Sequence, residues 1–274
     1  MDFIKKEVFF LLVLFYSISS YGFERLNNSI LIETGRVEFD NTIRFLSFDI
    51  ADANSFWVVE NIKLGVPYEL NIGFKPVYEF SNRFNDGISE IEISLYKRIF
   101  DEKFRTPGLN LKGFLKFGGK EGVYTTTSEE DFGILVHLHK KLERDLNLGL
   151  ELGATFRGDK PGKRIDTSFD YCLGLEKKLN KNLDFSGELY GNTSIYDTGV
   201  SIISLGGGLN YRLTDAFKLK SFIGLGLNKR APEVDSSLTL TLGVTPEMVK
   251  NPVAELDRLL VGPDDPVYIE RYRR

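Results

Sequence analysis

The chain has 274 residues, of which 42% are hydrophobic and 27% are charged, with 26 glycines and one cysteine. This composition excludes collagen-like, coiled-coil and disordered chains, and the net charge of −4 excludes a basic surface for nucleic acid. One cysteine excludes an internal disulfide framework and supplies too few sulfur ligands for a structural zinc site. A mean hydropathy of −0.15 argues against a helical membrane protein, but it leaves membrane proteins built from strands open.

The first residues have the pattern of a secretory signal peptide. Lys5 and Lys6 precede an apolar run over residues 8–16, and small residues follow that run. The run is too short for a membrane-spanning helix, which needs about 20 residues. We therefore predict a cleaved signal peptide over residues 1–22 and export of the mature chain. An uncleaved membrane anchor is the alternative.

The mature chain alternates apolar and polar residues with a period of two, which is typical of β-strands with one apolar face. In the clearest segment one face carries glycine and polar residues, and the other consists of Leu146, Leu148, Leu150, Leu152, Ala154 and Phe156. The same alternation recurs over residues 169–175, 217–227 and 238–244. From Thr42 onward we predict roughly twelve strands, each of about 9–13 residues, a length that suits tilted strands crossing a membrane.

Short polar turns alternate along the chain with longer polar loops. The turns lie at residues 142–146, 179–183 and 213–217, and the loops near residues 81–88, 118–131, 157–166, 195–200 and 229–236. This arrangement indicates a series of hairpins, so the predicted fold class is all-β, a transmembrane antiparallel up-and-down β-barrel of about 12 strands. Its predicted divisions are a signal peptide (1–22), an N-terminal periplasmic segment (23–41), an outer-membrane β-barrel (42–245) and a periplasmic tail (246–274).

A soluble sandwich or a lipocalin-like barrel is the competing interpretation, because it would place the same apolar face inside. Twelve strands in one meander would give a soluble barrel an unusually wide apolar interior. The opposite face carries glycines and charges of both signs, which suits a wet interior. Aromatic residues also stand at strand ends, as in the girdles of membrane barrels, at Phe117, Phe132, Phe156, Phe169, Tyr211 and Phe217. These features favour the membrane barrel.

Five short segments carry a resemblance to a known family. They are residues 65–70 (GVPYEL), 107–113 (PGLNLKG), 188–194 (ELYGNTS), 209–215 (LNYRLTD) and 224–228 (GLGLN). In their order and spacing, residues 57–245 resemble the transporter-like outer-membrane barrels named after the meta-pathway of phenol degradation. The resemblance implies an outer-membrane channel or uptake barrel in a Gram-negative bacterium, and it implies small hydrophobic or aromatic compounds as cargo.

The end of the chain departs from that family, whose barrels finish on an aromatic residue of the last strand. Here about thirty residues follow Thr245. Thr245 and Asn251 each precede a proline, as helix N-caps do, and an apolar stripe follows at Val253, Leu256, Leu259 and Leu260. We predict a short C-terminal periplasmic helix and tail within residues 246–274. A plain solvated tail is the alternative.

Few residues suggest chemistry. His137 and His139 are two apart in one strand and face the same side, but no third metal ligand can be identified. The three glycines from Gly206 lack the lysine and the helix of a phosphate-binding loop, so they are strand glycines. Cys172 has no base near it in the sequence. We therefore predict a protein without enzymatic activity, bound metal or cofactor.

The charges of the polar face are the main functional feature. They either pair into a rigid filling or form the wall of a polar path. The candidate lumen-lining residues are Glu90, Glu92, Arg98, Lys112, Lys116, His137, His139, Glu151, Asp170, Glu176, Glu188, Lys218 and Lys220. We predict passive or facilitated uptake of small molecules, with a structural or adhesive barrel as the alternative. The expected partners are outer-membrane lipid, a small-molecule solute and the outer-membrane assembly machinery, and not nucleic acid.

Overall fold

The computed structural model describes residues 31–48, 53–81, 86–118, 130–143, 145–158, 166–194, 201–214, 216–229 and 231–245. Within these residues the chain forms twelve strands: β1 (Val37–Phe48), β2 (Ala53–Val66), β3 (Leu70–Ser81), β4 (Gly87–Phe100), β5 (Gly108–Gly118), β6 (Asp131–Glu143), β7 (Leu146–Arg157), β8 (Asp166–Lys178), β9 (Leu183–Ser194), β10 (Ser201–Arg212), β11 (Phe217–Gly226) and β12 (Val234–Val244). Each strand pairs antiparallel with its neighbours in sequence, and β12 pairs with β1 to close the barrel.

The closed twelve-strand antiparallel barrel confirms the predicted fold class. The predicted signal peptide and the predicted C-terminal helix lie outside the described residues. In the part of the chain that the structure describes, no helix is long and apolar enough to cross a membrane.

Strand β1 begins at Val37, five residues before the start expected at Thr42. Residues 37–41 therefore belong to the barrel wall and not to the N-terminal segment. The sequence conceals this start because Asn41 stands where the alternation calls for an apolar residue. Its neighbours Phe39 and Ile43 follow the pattern on the same face.

The two faces of the wall differ in burial and chemistry. On β3, Asn71 and Glu79 are buried, whereas Ile72, Phe74 and Tyr78 between them are exposed. The buried face carries polar residues and points into the barrel, and we call it the inner face. The exposed face is apolar, and we call it the outer face. Alternate residues of a strand point to opposite sides of the wall. Since the apolar residues fall on one side of this alternation, large apolar side chains cover the outer face of every strand.

The two ends of the barrel also differ. The chain enters β1 and leaves β12 at the same end, where Val37 pairs with Val244. The connections at this end are short and include residues 67–69 and 179–182, and we call it the short-turn end. The connections at the opposite end, which we call the long-loop end, include the stretches 119–130 and 195–200. On the outer face near this end, the rings of Phe132 and Phe156 stack with centroids 4.7 Å apart.

Candidate functional site

The inner wall carries each of the candidate lumen-lining residues. Their positions alternate with the mostly apolar outer-face residues of the same strand, so their side chains point into the barrel. The structure places there Glu90, Glu92, Arg98, Lys112, Lys116, His137, His139, Glu151, Asp170, Glu176, Glu188, Lys218 and Lys220. That they line a path for solutes stays a prediction.

Five of the inner charges form one connected ion-pair group on β3, β4 and β5. Lys75 lies at its centre and pairs with both carboxylates. Glu92 has its Oε1 2.7 Å from Lys112 Nζ and its Oε2 3.1 Å from Lys75 Nζ. Glu90 continues the group, at 3.3 Å from Lys116 Nζ and 3.6 Å from Lys75 Nζ. We call these five residues the charge ladder. Because cations and carboxylates alternate along it, each buried carboxylate has a cation within ion-pair distance.

Aromatic rings support the lysines of the charge ladder. The ammonium of Lys112 lies 5.3 Å from the ring centroid of Tyr96 and 5.1 Å from that of Phe114. Lys116 lies 5.6 Å from the Phe114 ring. Lys63 also approaches the Tyr96 ring, with its ammonium 5.2 Å from the centroid. A cation above an aromatic face is held electrostatically, so these rings restrict where the lysine side chains can move.

A second polar group lies where β1 meets β12. Asp40 is buried and accepts hydrogen bonds from Thr241 and from Asn61, and its carboxylate is 3.8 Å from Lys220 Nζ. Toward the long-loop end, Arg44 binds the carboxylate of Asp235. These side chains join strands from the two ends of the chain, so the inner wall is cross-linked at the position where the barrel closes.

The acidic candidates of β7 and β8 have polar neighbours of their own. Thr155 donates a hydrogen bond of 2.7 Å to Asp170, and Asn147 donates one of 3.0 Å to Glu176. The rings of His137 and His139 lie with centroids 5.8 Å apart on the inner face of β6. Among the described residues, no group of three or more His, Cys, Asp and Glu side chains could hold a metal ion.

Residues 31–36 form an arm inside the short-turn end of the barrel. Asn71, on the inner face of β3, holds it with two hydrogen bonds to Ile32: its Oδ1 accepts the Ile32 N–H at 2.8 Å and its Nδ2 donates to the Ile32 carbonyl at 3.1 Å. The arm turns into β1 at Gly35, where φ is 83°, a conformation that favours glycine. A side chain at Gly65 would collide with the Glu33 carbonyl, so glycine lets the arm lie against the wall.

Two cavities of about 260 Å³ each open at the short-turn end. The arm forms one side of the first cavity, which is lined by three cations, Arg36, Lys218 and Lys220, and by two carboxylates, those of Glu33 and Glu38. Charges of both signs surround the second cavity, which is lined by Lys141, Asp145, Asn147, Glu176, Lys178, Asp184 and Arg212. Both cavities have room for a small polar solute.

Apolar side chains fill part of the barrel interior, in the half nearer the long-loop end. Leu46, Trp57, Val59 and Val77 are buried together on β1 to β3. Across the barrel, Cys172, Tyr190 and Phe222 form another buried cluster, with the Tyr190 and Phe222 rings 6.1 Å apart. These clusters narrow the interior, because bulky side chains from both sides of the wall extend into it.

Sequence reasoning did not name several residues of the inner wall. The alternation could have identified four of them, because each lies an even number of positions from other inner-face residues of its strand. They are Lys75, Asp40, Arg44 and Asp235. The arm has no comparable signal, since hydrogen bonds to residues distant in the chain hold it. Ile32 is bonded to Asn71, 39 residues away, and Gly35 is bonded to Gly65.

Comparison with known proteins supports the architecture. The chain is similar to the crystal structure of an outer-membrane channel from Pseudomonas putida F1, with a TM-score of 0.60, 10% identity, and coverage of 78% of this chain and 97% of that one. It is also similar to the NanC porin, with a TM-score of 0.54, 11% identity, and coverage of 76% of this chain and 98% of that one. At these identities the likeness shows the fold alone.

No family model matches the chain, and no curated protein does. The resemblance carried by the five short segments, including residues 65–70 and 188–194, therefore stays a prediction. The shared architecture with two channel proteins is independent of those segments, because it rests on the course of the backbone.

Proposed function

We propose that the protein is an outer-membrane channel of a Gram-negative bacterium for passive or facilitated uptake of small molecules. The observation that supports this proposal is the division of the wall into an apolar outer face and a charged inner face. A closed barrel pairs every wall strand on both sides, so it can stand in lipid without exposing unpaired backbone. The short-turn end then faces the periplasm and the long-loop end faces the outside.

The inner wall favours a polar or charged solute. The charge ladder and the cations around the first cavity offer hydrogen-bond donors and acceptors along the wall. A hydrophobic or aromatic cargo, which the family resemblance implies, gains no support from the clusters around Trp57 and Phe222, because these side chains are buried against their neighbours. The narrowed interior limits either kind of cargo to small molecules.

A non-transporting barrel that acts through its external loops is the second candidate, and one observation favours it. Side chains at the middle of the inner wall are almost fully buried, with 0% exposure for Cys172 and Thr239 and 1% for Glu188. Buried wall residues are what a filled, non-conducting interior would have. The two functions therefore differ in one measurable property, the passage of ions and solutes.

Conductance across a planar lipid bilayer tests the proposal. We expect the purified protein to give discrete current steps at neutral pH. In the same preparation, swelling of proteoliposomes in isosmotic solutions compares uptake of a charged sugar acid, a neutral sugar and a small aromatic alcohol. Faster entry of the polar solutes is expected. A folded barrel that passes neither ions nor any of the three solutes contradicts the channel function.

A further inference from the structure

The outer face carries one carboxylate far from both ends of the barrel. Glu60 lies in the middle of β2 and is exposed, between the apolar outer residues Val58 and Ile62 of the same strand. The other ionisable residues on the outer face of the described strands are Lys97, Lys140 and Lys177, each close to the short-turn end. Long lysine side chains can reach a membrane surface from there, whereas a glutamate in the middle of a strand cannot.

A second polar residue stands beside this carboxylate. Asn41 of β1 lies directly opposite Glu60 in the strand pairing, also on the outer face. Side chains at directly opposed positions have Cβ atoms about 5 Å apart. Within the described part of the chain, neither the Asn41 nor the Glu60 side chain forms a hydrogen bond or an ion pair. Two adjacent polar groups thus face outward among apolar neighbours.

The wall is also weakened at this point. The pairing of β2 with β3 runs through Val59–Val77 and resumes at Ile62–Phe74 in the same register, with a gap between them. Pro76 lies in the gap opposite Glu60, and it has no N–H to donate to the neighbouring strand. In sheets, proline is largely confined to positions where a strand lacks a ladder hydrogen bond. The gap in the β2–β3 pairing therefore lies directly beside the polar pair of Asn41 and Glu60.

A carboxylate and an amide in hydrocarbon are costly unless another group hydrogen-bonds them. Lipid headgroups do not reach the middle of the membrane, and within the described part of the barrel Glu60 accepts no hydrogen bond. A second copy of the chain can supply one. A two-fold rotation about an axis normal to the membrane keeps every residue at the same depth in the bilayer. Asn41 of one copy can therefore meet Glu60 of the other, and the symmetry-related contact between Glu60 and Asn41 forms as well.

We propose that the outer face around Asn41 and Glu60 is the contact between two copies of this chain in the membrane. The amide N–H groups of each Asn41 donate to the partner copy's carboxylate, and the apolar neighbours Phe39, Ile43 and Val58 pack around the two hydrogen-bonded pairs. The inference rests on the proposed membrane location. The contact is a two-fold dimer, because each copy offers one donor and one acceptor to the other.

Sedimentation equilibrium of the full-length protein in a density-matched detergent tests this inference. We expect a monomer–dimer equilibrium for the wild-type protein, and a dimer dissociation constant about tenfold or more higher for the N41L/E60L variant. Both substitutions replace polar groups with apolar ones on a lipid-facing surface, so the barrel is expected to fold. K177L is the matched control, since it removes a different outer-face charge, which lies on β8. Its dimer dissociation constant should equal that of the wild type.

The outcomes separate this inference from the channel function. A wild-type protein that remains monomeric over the same concentration range, while conducting in a bilayer, contradicts the dimer and leaves the channel intact. A dimer whose dissociation constant is unchanged in N41L/E60L places the contact elsewhere on the barrel and also contradicts the inference. A dimer that weakens in N41L/E60L but does not conduct supports the contact and contradicts the channel function.

Discussion

Arg44 binds Asp235 with two hydrogen bonds across the junction of the first and last strands. The Nε of Arg44 donates to Oδ1 at 2.9 Å and its Nη2 donates to Oδ2 at 2.7 Å. Tyr190 donates a further hydrogen bond of 3.0 Å to the same carboxylate, and Arg44 lies 5.2 Å from the Trp57 ring. The side chain of Asp235 is only 2% exposed. The ion pair is therefore an interior connection across the closing junction.

Removing one partner of this pair should destabilise the barrel strongly. In R44L the buried Asp235 carboxylate keeps the Tyr190 hydroxyl but loses its cation. We expect a loss of about 3–5 kcal/mol in the free energy of unfolding, since an uncompensated buried charge costs that much. Urea unfolding in lipid vesicles, followed by tryptophan fluorescence, measures the change.

The double variant R44L/D235L provides the comparison for that experiment. Removal of both charges leaves no unpaired ion inside, so the double variant should be more stable than R44L. If the double variant loses the sum of the two single effects, the two side chains are not coupled and the explanation is wrong.

Reversal of one charge on the ladder should change ion selectivity. Lys116 lies 3.3 Å from Glu90 and its side chain is 25% exposed, more than that of Lys112. We expect K116E to shift the reversal potential in a salt gradient toward cation permeation, because the inner wall becomes more negative. K116Q should shift it by a smaller amount in the same direction.

The matched control for that measurement is K177E, which makes the same charge change on the outer face of β8. Its reversal potential should equal that of the wild type. If K116E and K177E behave alike, the ladder does not line the conducting path.

Release of the arm at Ile32 should widen the short-turn end, although Gly35 and Arg36 stay bonded to Gly65. Asn71 is 1% exposed and forms both hydrogen bonds to Ile32, so N71A removes them together. We expect a higher single-channel conductance in N71A than in the wild type. N192A is the control, because Asn192 lies on the inner face of β9 outside the arm's contacts. Equal conductance in N71A and the wild type would show that the arm does not narrow the path.

Two glycines of the wall should respond oppositely to alanine. A Cβ at Gly206 would collide with the Phe222 ring on the inner face, whereas one at Gly113 would meet no atom within 4 Å. We expect G206A to lower the free energy of unfolding by about 1–3 kcal/mol. G113A should raise it by about 0.4–1 kcal/mol, because alanine restricts the unfolded chain. Comparable urea midpoints for the two variants would contradict this account of the wall.

The turn between β4 and β5 should contribute stability that depends on pH. Burial opposes ionisation of Glu102, but hydrogen bonds from the Lys141 backbone N–H at 2.8 Å and the Lys140 ammonium at 3.1 Å outweigh it and hold its pKa below the ordinary 4.5. A lowered folded pKa gives stability that is fully present above about pH 4.5 and is lost as the pH falls through the folded pKa.

The neutral variant E102Q isolates that contribution. At pH 7 the wild type should be more stable than E102Q by less than about 1 kcal/mol, since the pair is partly exposed. The difference should shrink toward zero as the pH falls below 4. Urea unfolding at several pH values measures it, and a difference that grows in acid contradicts the assignment to Glu102.

The sequence was sufficient to predict twelve strands and the face of each candidate charge, because alternation identifies both without knowledge of pairing. Pairing itself was out of reach. The register of β3 against β4 shifts between Val77 and Tyr78, so the partners of Lys75 could not be derived. The early start of β1 was missed because Asn41 interrupts the apolar pattern, and that interruption is part of the outer polar pair with Glu60.

Closure of the barrel by β1 and β12 has a consequence for how the protein is made. The hydroxyls of Thr42 and Thr239 lie 2.7 Å apart although 197 residues separate them in sequence. Until the last strand is in place, the sheet has two open edges with unpaired backbone groups, and such edges attract other chains. Pairing over so long a chain segment is slow. The unfinished barrel therefore needs its edges covered, which is a physical reason to expect an assembly partner.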